Sequence, residues 1–299
     1  MKTSNALFQR RSWFISLLLF VLFWEGCQHD RHLLKDSPTY SPLDTLLLSR
    51  CWVAYSPTNY NPETGVEPSE ESLRADLQQL HDAGFDGLVT YGANGRIPQL
   101  AEAAGFQGIL FGVWDPNNAT EMALAKEAAK EHIVIGFVIG NEGLDVRYTF
   151  EELKNAIAAL KEASGKPVAT TEEMGDYGQE AVMELGDWVF PNVHPYFANQ
   201  KEASDAVNWT MQQFEIFRTS TMKPVLFKEV GLPTSGDPEM NETKQADYYC
   251  QLRQTSVKFV WFEAYDQAWK RSLPIEPHWG LFTKDRVPKE VIRRQCVCR

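Results

Sequence analysis

The chain has 299 residues, of which 43% are hydrophobic and 23% charged, enough apolar material to bury one full core of the size an α/β barrel needs. Its formal net charge of -11 and pI near 5.1 exclude a partner held mainly through a phosphate backbone, because such binding draws on Lys and Arg. No nucleic-acid partner is expected, whereas an uncharged polymer is compatible.

At the start of the chain, Arg10 and Arg11 precede an apolar run from Trp13 to Trp24. A basic flank and a run too short to span a bilayer comfortably are the pattern of an export signal, so residues 1–26 read as signal peptide or membrane anchor. Gly26-Cys27 resembles a bacterial lipoprotein cleavage site, which makes Cys27 a lipidation candidate beside ordinary cleavage or an uncleaved anchor. The expected address is either the cell envelope, with membrane attachment through the N-terminus, or the medium. Residues 27–45 are polar with Pro38 and Pro42 and read as a linker. Cys51, Cys250, Cys296 and Cys298 are even in number and can form disulfides in an oxidising compartment, with connectivity left open. The histidines are scattered and no Cys/His spacing suggests a metal, so no metal or other cofactor is expected.

Residues 46–295 are expected to form a single catalytic domain, in which short apolar runs alternate with amphipathic stretches. Candidate strands end near Tyr55, Tyr91, Trp114, Asn141, Thr171, His194, Glu229 and Glu263. Leu73, Leu77 and Leu80 give one buried helical face, stopped by Gly84. Thr149 and Glu152 form a capping box ahead of Leu153, Ile157 and Leu160, and Gly165 and Pro167 end that helix. Strands such as Ile133–Ile139 are apolar throughout, as in a parallel sheet covered on both sides. An open doubly wound sheet would show the same alternation. Aromatic, carboxylate and amide residues at nearly every strand end favour a (β/α)8 TIM barrel, whose C-terminal mouth builds a site from those positions.

Two strand ends carry the chemistry. Asn141-Glu142 follows the fourth candidate strand, and Glu229 follows the seventh. Retaining glycoside cleavage needs one carboxylic acid to protonate the leaving oxygen and one carboxylate to attack the anomeric carbon, about 5–5.5 Å apart. Glu142 as acid/base and Glu229 as nucleophile satisfy that requirement if their strands face each other across the mouth, and Asn141 is then in reach of a sugar 2-hydroxyl. The charge of Glu229 is expected to raise the pKa of Glu142 and keep it protonated. Aromatic platforms for sugar rings are sought at Tyr55, Tyr91, Trp114, Tyr196, Phe197, Trp261 and Trp279. Of Glu172 and Glu173, one is expected to line the cleft and the other to face water. Lys228 is expected to point to the barrel wall.

Several segments together resemble glycoside hydrolase family 17, the β-1,3-glucanases and related glucanosyltransferases: Ala54-Tyr55-Ser56-Pro57, Thr90-Tyr91-Gly92, Ile139-Gly140-Asn141-Glu142, Asn192-Val193-His194-Pro195-Tyr196-Phe197, Glu229-Val230-Gly231-Leu232-Pro233, and the run from Trp261 to Lys270 followed by Glu276-Pro277-His278-Trp279-Gly280. The resemblance runs from about Trp52 to Lys289 in the family's order. It implies the same roles for Glu142 and Glu229, a β-glucan as partner, and supporting polar residues in Lys270 and Glu276, with Tyr196 placed at the site; Glu263, at the last strand end, is a further substrate-binding candidate. Three positions depart from the family: Gln267 stands where a Glu is usual, Leu232 where many members have Trp, and Val89-Thr90 where an Arg is common. A transglycosylase of the same family is the nearest rival reading. A β-1,4-specific barrel enzyme of the same clan is disfavoured by the His-Pro-Tyr-Phe segment, and a catalytically silent carbohydrate-binding lipoprotein by the two carboxylates. A monomer is expected.

Overall fold

The computed structural model describes residues 39–297. After a short helix α1 (Pro42–Ser49), strands and helices alternate: β1 (Trp52–Tyr55), α2 (Glu70–Asp82), β2 (Gly87–Thr90), α3 (Ile97–Ala104), β3 (Gly108–Val113), α4 (Ala119–Ala128), β4 (Val134–Ile139), α5 (Phe150–Ser164), β5 (Val168–Ala169), α6 (Glu180–Met183), α7 (Ala203–Ser220), β6 (Phe227–Val230), α8 (Glu242–Leu252), β7 (Phe259–Trp261) and α9 (Glu290–Arg293). Local sequence explains the helix ends. In α2 the Ser69 side chain accepts from the Ser72 amide and Leu73, Leu77 and Leu80 are buried. In α5 the Thr149–Glu152 capping box is formed and Gly165 closes the helix in the left-handed region.

All strand pairs are parallel, in the order β5-β4-β3-β2-β1-β7-β6. The sixth stave expected from the sequence is present but irregular. Its backbone bridges both open edges: the Asn192 amide donates to Glu172 O (3.0 Å) and the Val193 amide to Glu229 O (2.8 Å), while Val189 pairs with Val225. Pro191 in this run has no N–H to donate, so the ladder breaks into isolated bridges and no regular strand forms. The sheet therefore curls into the eight-stave barrel of the (β/α)8 class, with seven regular strands.

Alternation along the strands sorts the core into two layers. Trp52, Ala54, Val89, Leu110, Ile135 and Leu226 fill the barrel with Trp188 and Phe190. Val53, Leu88, Ile109, Phe137 and Phe227 point outward and pack under the helices. Gly136 makes room for the Trp188 ring, since a Cβ there would lie 2.4 Å from it.

The linker expected to reach residue 45 gives way earlier to structure. Ser41 and Asp44 form a capping box that starts α1, and Asp44 Oδ1 also accepts from Trp188 Nε1 at 2.6 Å. With Leu47 buried and its carbonyl accepting from Trp52 Nε1 (2.7 Å), α1 closes the N-terminal end of the barrel. The polar composition misled here because Leu43, Leu46 and Leu47 supply the apolar face one turn after Pro42. At the other end of the chain a disulfide joins Cys250 in α8 to Cys296, 46 residues on, and Cys51 is also disulfide-bonded. Among the described residues no helix is long and apolar enough to cross a membrane. The signal, anchor and Cys27 readings fall outside the described residues.

Candidate active site

The C-terminal strand ends open into a cleft of about 970 Å³ lined by Asn141, Glu142, His194, Glu229 and Trp279 among others. Glu142 follows β4 through a sharp turn. Gly140 has φ 80°, and a Cβ there would lie 2.3 Å from the Tyr148 hydroxyl, so the turn needs glycine. Glu142 itself has φ 49°, a left-handed conformation rare for a residue with a Cβ, held by its amide donating to Thr171 O at 3.0 Å. Glu172 secures the same turn, accepting from the Gly143 amide (2.9 Å), the Leu144 amide (3.2 Å) and the Tyr148 hydroxyl (2.7 Å).

Glu229 lies on β6, where the register with β7 shifts between Phe227 and Val230. That shift breaks the in–out alternation, so Lys228 and Glu229 both turn inward. Lys228 Nζ donates to Glu229 Oε1 (2.6 Å) and to Asn141 Oδ1 (2.6 Å) and lies 3.8 Å from the Tyr91 ring centroid. The expectation that Lys228 faces the wall is therefore corrected. His194 Nε2 is 3.3 Å from Glu229 Oε2, and its buried Nδ1 has no partner among the described residues. The proton therefore belongs on Nε2, where it has an acceptor.

The two carboxylates meet. Ligand-capable atoms of Glu142, His194 and Glu229 lie within 4.8 Å of one another. Asn192 Nδ2 donates to Glu142 Oε1 at 2.8 Å, and its own oxygen accepts from Thr171 Oγ1 at 2.9 Å, which fixes the amide's direction. The carboxyl of Glu142 is open to the cleft yet surrounded by protein at depth; this partial desolvation raises its pKa first, and the charge of Glu229 second. The sequence reading had the second cause and missed the first. Burial alone would also raise Glu229, but the charge of Lys228 and the contact from His194 outweigh it and hold that carboxyl well below the usual carboxylate range. The two adjacent carboxyls are thus pushed in opposite directions, Glu142 toward its neutral form and Glu229 toward its charged form. The same three residues are the one set among the described residues that could share a metal ion, and the Lys228 ammonium already supplies the countercharge a cation would bring.

The other expected site residues divide. Asn141, Tyr91, Lys270, Glu276 and Trp279 line the cleft, as do Trp114 and Phe197. Trp279 Nε1 is a buried polar atom without a hydrogen-bond partner among the described residues, and the Tyr91 hydroxyl sits beside Glu229, so that burial first and the charge of Glu229 second raise its pKa. Glu263 is fully buried and does not line the cleft; it accepts twice from Lys270 Nζ at 2.9 Å and so positions a residue that does. Burial pushes Glu263 up to about 7 against the pull of Lys270. Tyr55 borders the cleft, but its hydroxyl is spent on buried Asp76 at 2.9 Å, so it does not offer that group to a sugar. Tyr196 bonds Asp237 (2.8 Å), and its neighbour Phe197, 57% exposed, is the ring that faces the cleft. Trp261 stacks on Tyr249 at 4.2 Å in the helix-facing core. Of the two acids after the fifth strand, Glu173 lines the cleft, as expected of one of them, whereas the other, Glu172, is fully buried and does not face water.

Two departures from the family pattern find a local cause or a local limit. Gln267 donates to Ser56 O (3.0 Å) and accepts from Trp269 Nε1 (2.9 Å), a pair of bonds that a carboxylate, which only accepts, cannot make. Leu232 is fully buried in the helix-facing core and does not reach the cleft. Asn192, His194, Lys228, Tyr60 and Trp269 were not singled out from the sequence as site residues. The strand-end position of His194 was the available signal for it; the others needed the tertiary contacts.

The comparisons with known proteins agree with this geometry. A "Glucan 1,3-beta-glucosidase" of Saccharomyces cerevisiae is 30% identical over 225 residues, covering 61% of this chain and 71% of that protein. The fold superposes on a glycoside hydrolase family 17 β-1,3-glucanosyltransferase from Rhizomucor miehei with a TM-score of 0.68 at 22% identity, covering 80% of this chain and 95% of that one. It also superposes on an endo-laminarinase from Formosa with a TM-score of 0.69 at 19% identity, covering 81% and 85%. Residues 53–280, a span that holds both facing carboxylates and nearly the whole barrel, match the family described as "BtgE/BtgC glycoside hydrolase domain", and the chain belongs to that family.

Proposed function

We propose that the protein is a retaining glycoside hydrolase acting on β-1,3-glucan, with Glu142 as acid/base and Glu229 as nucleophile. The reading rests on one observation, the approach of a carboxyl whose pKa is raised to within 4.8 Å of one whose pKa is lowered, at facing strand ends. That spacing suits a covalent intermediate; an inverting enzyme holds its carboxyls about 6.5–9.5 Å apart to admit water between them.

Glu142 gives its proton to the glycosidic oxygen as Glu229 attacks the anomeric carbon. The bond to the leaving sugar breaks and an ester forms. Water then attacks the same carbon, its proton passes to Glu142, and Glu229 leaves as carboxylate. The names of the relatives support β-1,3-glucan as substrate. The acidic cleft lining, with Glu67, Glu121, Glu173 and Glu276, suits an uncharged sugar and opposes a uronic acid polymer. A sugar hydroxyl can replace water in the second step, which would make the enzyme a transglycosylase. The N-terminal basic and apolar segment, with disulfides at Cys51 and Cys250, supports export and attachment at the cell envelope, with Cys27 as the candidate lipidated residue.

The test is Glu229→Ala on linear laminari-oligosaccharides. Activity should fall at least about 10⁴-fold, and added azide should restore turnover with an inverted glycosyl azide as product. Full hydrolysis by the variant overturns the assignment. With the unmodified enzyme, products longer than the substrate mark transfer and shorter ones hydrolysis.

A further inference from the structure

Lys228 is a charged group that the mechanism above does not use. It is 1% exposed, and stripping an ammonium of water is costly unless its protons find acceptors. They do: Asn141 Oδ1 and Glu229 Oε1 each accept at 2.6 Å, and the face of Tyr91 lies beneath at 3.8 Å. An ammonium only donates, so Asn141 must turn its oxygen inward and present its amino group to the cleft. No described bond occupies that amino group, and Asn141 lines the cleft.

We propose that Lys228 is a positioning residue that works through two contacts, holding Glu229 as an oriented carboxylate and Asn141 with its amino group toward the substrate, and that it holds Glu142 ionised during the second step. The last part follows from charge bookkeeping and rests on the reading of Glu229 as nucleophile. While the ester stands, Glu229 carries no charge, so Lys228 keeps neutral acceptors in Asn141 and the ester carbonyl and the Tyr91 face, and loses only its countercharge. Its uncompensated positive charge then acts on Glu142, which must be a carboxylate to accept the proton of water. Other titratable or charged groups around this cluster are Tyr91 and His194, with Lys270 and Glu263 beyond them. Glu229 is held low by Lys228 and His194 against its burial, in keeping with this role.

A buried ion pair could serve stability alone, so the test uses a readout that stability does not move. Lys228→Met in the full chain is assayed on laminaritetraose across pH, with a thermal melt in parallel. The acid limb of kcat/KM should move up by at least about one pH unit as Glu229 returns toward an ordinary carboxylate pKa. On an aryl β-laminaribioside with a fast leaving group, where ester hydrolysis limits, the acid limb of kcat should also move up because Glu142 loses its stabilising charge. A folded variant whose limbs both stay put overturns the proposal. If Lys228→Met does not fold, Lys228→Gln, which keeps donors but not charge, is read in the same way. Azide rescue of Glu229→Ala separates the two claims: rescue with unmoved Lys228 limbs overturns the role of Lys228 alone, while an active, unrescued Glu229→Ala removes both.

Discussion

At the scale of single residues, the site works by setting neighbouring groups apart electrostatically. Asn192 donates to Glu142 and so favours its charged form. Asn192→Ala should therefore raise the pKa of Glu142 and move the alkaline limb of kcat/KM upward, by up to about one pH unit for the loss of one hydrogen bond. A pH–rate profile on laminari-oligosaccharides checks this, and a downward shift would contradict it. Gln267 is a second residue whose chemistry is set by its partners. Gln267→Glu swaps the donor on Ser56 O for an acceptor, leaving two buried oxygens facing each other. A loss of about 1–3 kcal/mol in urea unfolding is expected. An unchanged midpoint would show that the loop relaxes around the charge.

Elements carry the next level. The short helix α1 is held by two groups with double duty: Asp44, which caps the helix and bonds Trp188, and Leu47, which is buried and accepts from Trp52. Asp44→Ala removes a cap and strands the Trp188 donor, for a combined loss of about 2–4 kcal/mol, read from chemical denaturation with activity preserved in the folded fraction. Between α8 and the C-terminal segment, the Cys250–Cys296 disulfide closes a 46-residue span. The loop-entropy estimate for that span is about 4 kcal/mol. Cys250→Ser/Cys296→Ser should lose stability of that order, and a change under about 1 kcal/mol would mean that the reduced chain is already held together there by packing.

For the whole molecule, the acids that folding partly or fully desolvates give a sign to the pH dependence of stability. Glu121, Glu142, Glu172, Glu263 and Asp266 all have raised pKa values, with burial as the leading cause. An acid whose folded pKa is raised binds its proton more tightly in the native state, so its contribution is full below the unfolded pKa and fades as pH rises through the folded value. Glu263, at about 7, sets the upper edge of the window. Glu229 acts in the opposite sense, stabilising above the unfolded pKa and losing that contribution as pH falls through its own low value. The melting temperature should therefore climb as pH is lowered from about 7.5 toward 5 before acid unfolding sets in, helped by the shrinking net negative charge. A maximum at or above pH 7.5 by calorimetry would refute this.

Much of this molecule follows from local pattern. Period-3.6 and all-apolar runs, with Gly84, Thr149 and Gly165 at helix ends, mark the alternating strands and helices, and strand-end position marks Glu142 and Glu229 as the acids to watch. These are properties of short windows, so a sequence carries them. Which way a side chain points once a ladder breaks is not such a property. Lys228 turns inward because of a register shift with β7, Tyr196 and Tyr55 spend their hydroxyls on Asp237 and Asp76, and Glu172 serves a turn 29 residues before it. Those outcomes depend on contacts between distant segments, and only the closed barrel brings those segments together.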